Sequence, residues 1–188
     1  TRYVCPTWDQ MGILTYQLAR GVLESKRSVD MVVALAKGGW TWASDLADAL
    51  DINELSSMRI SLYKDVNRRT RVPKIVQPLT DPIHDQRILL FDEVIDTGKT
   101  LKKALRYLRE MGPQGIVTAA LCYKPVSTIR PDFYAFQSSA WVVFPHEIRA
   151  LSISVAYPFP QYSGKNLYPT STSSFSHAHP ARPINSPD

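Results

Sequence analysis

Arg87-Ile88-Leu89-Leu90-Phe91-Asp92-Glu93-Val94-Ile95-Asp96-Thr97-Gly98-Lys99-Thr100, continued by Leu101 to Met111, is the stretch on which the fold turns. Ile88 to Phe91 is a short unbroken apolar run, which suits a strand buried on both faces of a sheet. Two adjacent carboxylates, Asp92 and Glu93, close it. From Leu101 the apolar residues Leu101, Leu105, Leu108 and Met111 fall at helical spacing, and Gly112-Pro113 is a stop signal. The stretch reads as strand, turn and helix. Its turn carries hydroxyls, one glycine and three acids, counting Asp96. Amides opening a helix, beside the hydroxyls of Thr97 and Thr100, make an anion site that suits a phosphate.

Gly98-Lys99-Thr100 also copies the end of a nucleotide P-loop, but that pattern requires glycine where Glu93 stands. Three acids would repel a triphosphate. A ligand with one phosphate, neighbouring hydroxyls and a magnesium ion fits better, because carboxylates accept hydrogen bonds from a ribose diol.

Phe91 to Thr100 resembles the phosphoribosyl-pyrophosphate signature of the type I phosphoribosyltransferases. The resemblance runs from about Trp8 to Tyr157 and fades beyond it. It implies an α/β fold, a doubly wound and mainly parallel sheet flanked by helices, with a small base-binding hood. Periodicity agrees on the layout. Thr7-Trp8-Asp9-Gln10 has the spacing of a capping box, and Met11, Leu14, Leu18 and Val22 continue one helical face to about Lys26. Met31 to Ala36 reads as the first core strand, followed by Lys37-Gly38-Gly39 and a helix from Trp40 to Leu50. Met58 to Tyr63, Ile116 to Tyr123, Phe133 to Phe136 and Trp141 to Phe144 read as further strands. Strands alternating with helices place ligands at the carboxyl ends of the strands.

No period survives from Lys64 to Gln86, where Arg68, Arg69, Arg71 and Lys74 gather beside Pro73, Pro78 and Pro82. This reads as a long loop, and long loops in compact domains carry function or motion. In the family it resembles the mobile lid over the reaction centre.

The resemblance also assigns roles. Lys37, Gly38 and Gly39 would grip pyrophosphate, with a non-proline cis peptide at Ala36–Lys37. Asp92 and Glu93 would hold the ribose diol, and Glu93 would reach magnesium directly or through water. Thr97, Gly98, Lys99 and Thr100 would cradle the 5′-phosphate, while Asp96 would act as the acid–base group at the purine's imidazole edge. In a hood spanning about 124–150, Lys124 would meet the exocyclic oxygen of a 6-oxopurine and Trp141 would stack on the base. Val142 and Glu147 complete that set. The order Lys124, Trp141, Glu147 looks most like the xanthine–guanine and archaeal-type purine enzymes. His146 departs from the pattern, which has tryptophan there.

Length and composition bound the rest. The 188 residues suffice for one domain, read as 1–157, with a Pro/Ser/Thr-rich tail at 158–188 expected to be disordered. His177 and His179 in that tail are too few to define a metal site. A net charge of +5 suits nucleic acid or a polyanionic small molecule equally. No helix-turn-helix or aromatic-basic platform lies outside the core, so nucleic acid is not expected. No apolar run reaches membrane-spanning length, and the opening residues do not read as a signal peptide, so none is expected. Cys5 and Cys122 have no metal-like spacing, and a reduced cytoplasmic setting follows. The reading is therefore a magnesium-using purine phosphoribosyltransferase of purine salvage, expected to be a homo-oligomer. Its alternatives are a sensor of phosphoribosyl pyrophosphate on the same fold, or a pyrimidine phosphoribosyltransferase.

Overall fold

A computed structural model describes residues 2–64 and 71–147. The strands are β1 (Tyr3–Val4), β2 (Met31–Ala36), β3 (Leu55–Lys64), β4 (Arg71–Gln77), β5 (Arg87–Ile95), β6 (Gly115–Tyr123), β7 (Phe133–Gln137) and β8 (Trp141–Val142). The helices are α1 (Trp8–Glu24), α2 (Gly38–Ala49) and α3 (Lys99–Glu110), with a 3-10 turn at Pro145–Glu147. Six strands form one sheet in the order β4-β3-β2-β5-β6-β7. All its neighbours run parallel except β4, which lies antiparallel to β3 at the edge. β1 and β8 form a separate parallel pair.

The unbroken apolar strands serve two cores, because successive side chains point to opposite faces. Val32 and Ala34 of β2, with Leu89 and Phe91 of β5, pack under α1 and α2 against Met11, Leu14, Leu18, Trp42 and Leu46. Val33 and Leu35, with Ile88 and Leu90, pack on the other face against Leu101, Ala104, Leu105 and Leu108 of α3. Phe91 is fully buried. Truncating such a side chain to alanine typically costs about 3–5 kcal/mol, so the strand that carries the site is firmly seated.

Register is fixed at the start of the two central strands. Asp30 N–H donates to the Arg87 carbonyl at 2.8 Å, and Arg87 N–H and Nε each donate to Asp30 Oδ2 at 2.8 Å. Arg87 Nη2 donates to the other carboxylate oxygen. This staple sets Met31 opposite Ile88 and every pair after it.

The stretch from Lys64 to Gln86 is not the structureless loop that its sequence suggested. Arg71–Gln77 forms the edge strand β4, with Pro73 opposite Leu62 and a register shift between Arg59 and Ile60. Proline is tolerated there because an edge strand leaves one row of amides unpaired. Leu79 and Ile83 then bury beneath α3, and Tyr107 Oη donates to the Leu79 carbonyl at 3.4 Å. Residues 65–70 of the expected lid, and the tail at 158–188, lie outside the described residues. Trp141–Phe144 also differs from the sequence reading. Only Trp141 and Val142 form strand, and they pair with the unforeseen β1 instead of extending the main sheet. No helix among the described residues is long and apolar enough to cross a membrane.

Candidate active site

β2 and β5 part company at the site. They pair from Met31 and Ile88 only as far as Ala34 and Phe91, while β5 runs on beside β6 to Ile95. α2 leaves β2 toward one face and α3 leaves β5 toward the other. This is the point at which an open α/β sheet makes a crevice outside its strand ends. Asp92 and Glu93 are the first β5 residues to lose their β2 neighbour.

Two helices begin here without caps. α1 has both halves of its capping box, Gln10 N–H to Thr7 Oγ1 at 3.2 Å and Thr7 N–H to Gln10 Oε1 at 2.9 Å. By contrast, neither Lys37 before α2 nor Gly98 before α3 makes a side-chain capping bond. Their first-turn amides remain available to an anion.

The glycines at these two starts are required by close approach. A Cβ built on Gly38 would fall 1.7 Å from Glu93 Oε1, and one on Gly39 would lie 3.1 Å from Asp92 Cα and the Phe91 carbonyl. Gly98 adopts φ +78°, and its Cβ would meet Ile129 Cγ2 at 2.5 Å. The 127–129 loop thus closes over the start of α3, and Thr128 N–H and Oγ1 both donate to the Thr97 carbonyl, at 3.3 and 3.1 Å. The Ala36–Lys37 peptide is cis, as the family resemblance implied.

Burial pushes the Asp92 carboxyl up to about 7, against the opposing effect of hydrogen bonds from the Glu93 and Val94 amides. Glu93 rises to about 8, first through burial, then through the nearby carboxylates of Asp92 and Glu147. Glu93 is only 9 % exposed, and its Oε2 accepts no hydrogen bond. Carboxylates so placed call for hydroxyl donors or a cation. Asp96, Thr97 and Lys99 stand exposed on the rim, with Thr100 half-buried.

The hood closes the crevice from the β6 side. Lys124 N–H donates to the Ile95 carbonyl at 2.9 Å, which ties the hood to the end of β5. Its side chain is buried, and Nζ donates to the Ala140 carbonyl. Trp141 is 59 % exposed, so a ring face is available for stacking. Val142 buries its side chain in the core, and only its backbone can serve a ligand. The Trp141 and Val143 amides donate to the carbonyls of Arg2 and Val4, at 2.8 and 2.9 Å. The intervening Val142 amide and carbonyl therefore face the opposite way.

Glu147 is drawn inward. Its Oε2 accepts the Phe144 amide at 3.2 Å, and Glu147, His146 and Glu93 offer ligand atoms all within 4.8 Å of one another. His146 Nε2 lies 3.5 Å from Glu93 Oε2, and its ring stacks on Phe144 and tilts against Trp42. Sequence reasoning registered His146 only as a departure and missed this contact. The residue type was the available signal, since histidine beside glutamate offers a ligand pair where tryptophan offers none. Asp132 belongs elsewhere: it holds Thr118 and Arg27 at the start of β7, away from the crevice.

The chain belongs to the phosphoribosyl transferase domain family, whose model matches residues 7–152. It is 33% identical to a purine phosphoribosyltransferase from Pyrococcus horikoshii Ot3, covering 76% of this chain and 93% of that one with a TM-score of 0.69. A hypoxanthine phosphoribosyltransferase from Buchnera aphidicola is 26% identical over 81% of this chain and 86% of its own. A xanthine-guanine phosphoribosyltransferase from Gluconobacter oxydans is 26% identical over 80% and 88%.

Proposed function

We propose that this chain transfers the phosphoribosyl group of phosphoribosyl pyrophosphate to a 6-oxopurine, giving the nucleoside monophosphate and pyrophosphate. One observation carries the reading. Two uncapped helix starts flank a pair of carboxylates, Glu93 buried and Asp92 half-buried, at a single crevice, with a lysine and an open tryptophan on its hood. Anion-binding amides on both sides of diol-binding acids match a ribose bearing phosphate at one end and pyrophosphate at the other. The names of the relatives above agree with a purine as the acceptor.

In this reading the amides of Gly38 and Gly39, with Lys37, hold pyrophosphate as it leaves. Thr97 to Thr100 and the start of α3 hold the 5′-phosphate. Asp92 and Glu93 accept the ribose hydroxyls and orient C1′ toward the hood. Bond breaking leads that of bond making, so charge of oxocarbenium type develops on the ribose, as in glycoside cleavage. Lys124 donates to the purine's exocyclic oxygen, Trp141 covers its face, and the Val142 backbone offers one donor and one acceptor. Asp96, at the rim, receives the proton of the imidazole nitrogen that attacks C1′. The carboxylate donor set fits magnesium, with Glu93 as its protein ligand, and the ion would neutralise charge on pyrophosphate.

The test is turnover with phosphoribosyl pyrophosphate and magnesium against guanine, xanthine, hypoxanthine, adenine and uracil. At least one 6-oxopurine should give its monophosphate with stoichiometric pyrophosphate. Release of pyrophosphate with none of the five, or with uracil alone, overturns the reading.

A further inference from the structure

His146 brings to the Glu93 carboxylate an imidazole, a ligand type that a magnesium site does not need. Its Nε2 lies 3.5 Å from Glu93 Oε2, and Glu93, His146 and Glu147 bring three ligand atoms within 4.8 Å of one another. Ligands around one ion bound at about 2.1 Å stand roughly 3–4 Å apart, so only a small contraction is needed. The arrangement is also supported from behind. The imidazole is held by stacking on Phe144, with ring centroids 5.9 Å apart, and by Trp42 at 6.2 Å. The Phe144 amide fixes Glu147 at 3.2 Å. Outer contacts of this kind orient metal ligands. Independently, Glu93 Oε2 is buried with no hydrogen-bond donor, in a residue only 9 % exposed. A buried carboxylate oxygen facing an imidazole nitrogen at this distance lacks what an ion would provide.

We propose that Glu93, His146 and Glu147 form a three-ligand site that holds a first-row transition ion, such as Zn²⁺ or Co²⁺, on the protein itself. One imidazole with two carboxylates is a borderline donor set, which selects such ions over Mg²⁺. Three protein ligands leave a coordination position open toward the crevice. Gly38 touches the same Glu93 carboxylate, so the ion sits where it would meet the pyrophosphate end of the ligand. The site adds a protein-held ion to the reaction centre proposed above, and it forms without substrate.

The experiment uses the full chain, stripped with chelator and free of substrate. Calorimetric titration with Zn²⁺, Co²⁺ and Mg²⁺ is paired with the visible absorption of the Co²⁺ complex. The expected result is one Co²⁺ or Zn²⁺ per chain, bound roughly tenfold or more tighter than Mg²⁺, with a Co²⁺ spectrum that requires nitrogen ligation. His146→Asn and Glu147→Gln should each weaken Co²⁺ by about tenfold or more, at least the loss that follows removal of an outer-shell partner. Circular dichroism confirms that each variant is folded, and His146→Trp serves if asparagine destabilises the turn. Absence of stoichiometric Co²⁺ binding overturns the site. So does an undiminished isotherm or an unchanged spectrum in both His146 variants, since the ion would then be held by other histidines. Because no base or phosphoribosyl donor is present, failure of the five-base turnover assay leaves this result untouched, and the converse holds.

Discussion

Gly38 and Glu93 share one space: the Glu93 Oε1 atom lies 1.7 Å from where a Cβ on Gly38 would stand. The start of α2 can therefore rest on the β5 carboxylate only if residue 38 has no side chain. Gly38→Ala should displace Glu93 while leaving the sheet intact, because the contact is outside both hydrophobic cores. Binding of phosphoribosyl pyrophosphate, followed by calorimetry, should weaken by about tenfold or more, equivalent to roughly 1.4 kcal/mol. An unchanged dissociation constant would separate the glycine from ligand binding.

Asp96→Asn should preserve the fold, since the side chain is exposed and makes no described hydrogen bond that holds an element in place. Turnover should fall by about 10²–10⁴-fold, the usual contribution of a positioned acid–base group. The measurement is kcat at saturating phosphoribosyl pyrophosphate and base. A loss below about threefold would remove Asp96 from the proton transfer.

Most of this candidate site could be assembled from the sequence because its residues are contiguous. Asp92 to Thr100 and Lys37 to Gly39 each follow a strand whose apolar run ends unmistakably, and the parallel topology brings the two ends together. What escaped was set by contacts distant in sequence. The strand at Arg71–Gln77 is interrupted by Pro73 and basic residues, so its period of two disappears, and only pairing with β3 reveals it. β1 is two residues long and exists because β8 lies beside it. His146 acquired meaning only when the hood turned it back toward Glu93, more than fifty positions away in the chain.

The Asp30–Arg87 staple carries a pH dependence with a definite sign. The side-chain hydrogen bond from Arg87, then the Arg87 amide, hold the Asp30 carboxyl down to about 2. A depressed folded-state value contributes stability above the ordinary aspartate range, near 4, and that contribution is lost as pH falls toward about 2. The Asp30 side chain is 34% exposed, so solvent screens the ion pair and its contribution at pH 7 is small. Asp30→Asn should lower the urea midpoint at pH 7, and the gap to the parent protein should narrow between pH 4 and pH 2. A gap that stays constant across that range would show that the staple acts through its neutral hydrogen bonds alone.

In the proposed reading, the choice of base turns on Lys124. Its buried ammonium donates to the Ala140 carbonyl and retains further N–H groups for a ligand. The oxygen of guanine or hypoxanthine can accept one of them. An adenine amino group at the same place presents hydrogens to hydrogens, which leaves a buried donor unsatisfied at a cost of about 1–3 kcal/mol. Discrimination against adenine should therefore be roughly ten- to a hundredfold in kcat/KM. Lys124→Ala removes the penalty as well as the bond, so the guanine-to-adenine ratio should contract and not merely persist at lower rates. Trp141→Ala supplies the contrast, because stacking covers either purine and its loss should slow both alike. The assay is kcat/KM for guanine, hypoxanthine and adenine in the three proteins. Adenine rivalling guanine in the parent, or a ratio that survives Lys124→Ala, would take base recognition away from Lys124.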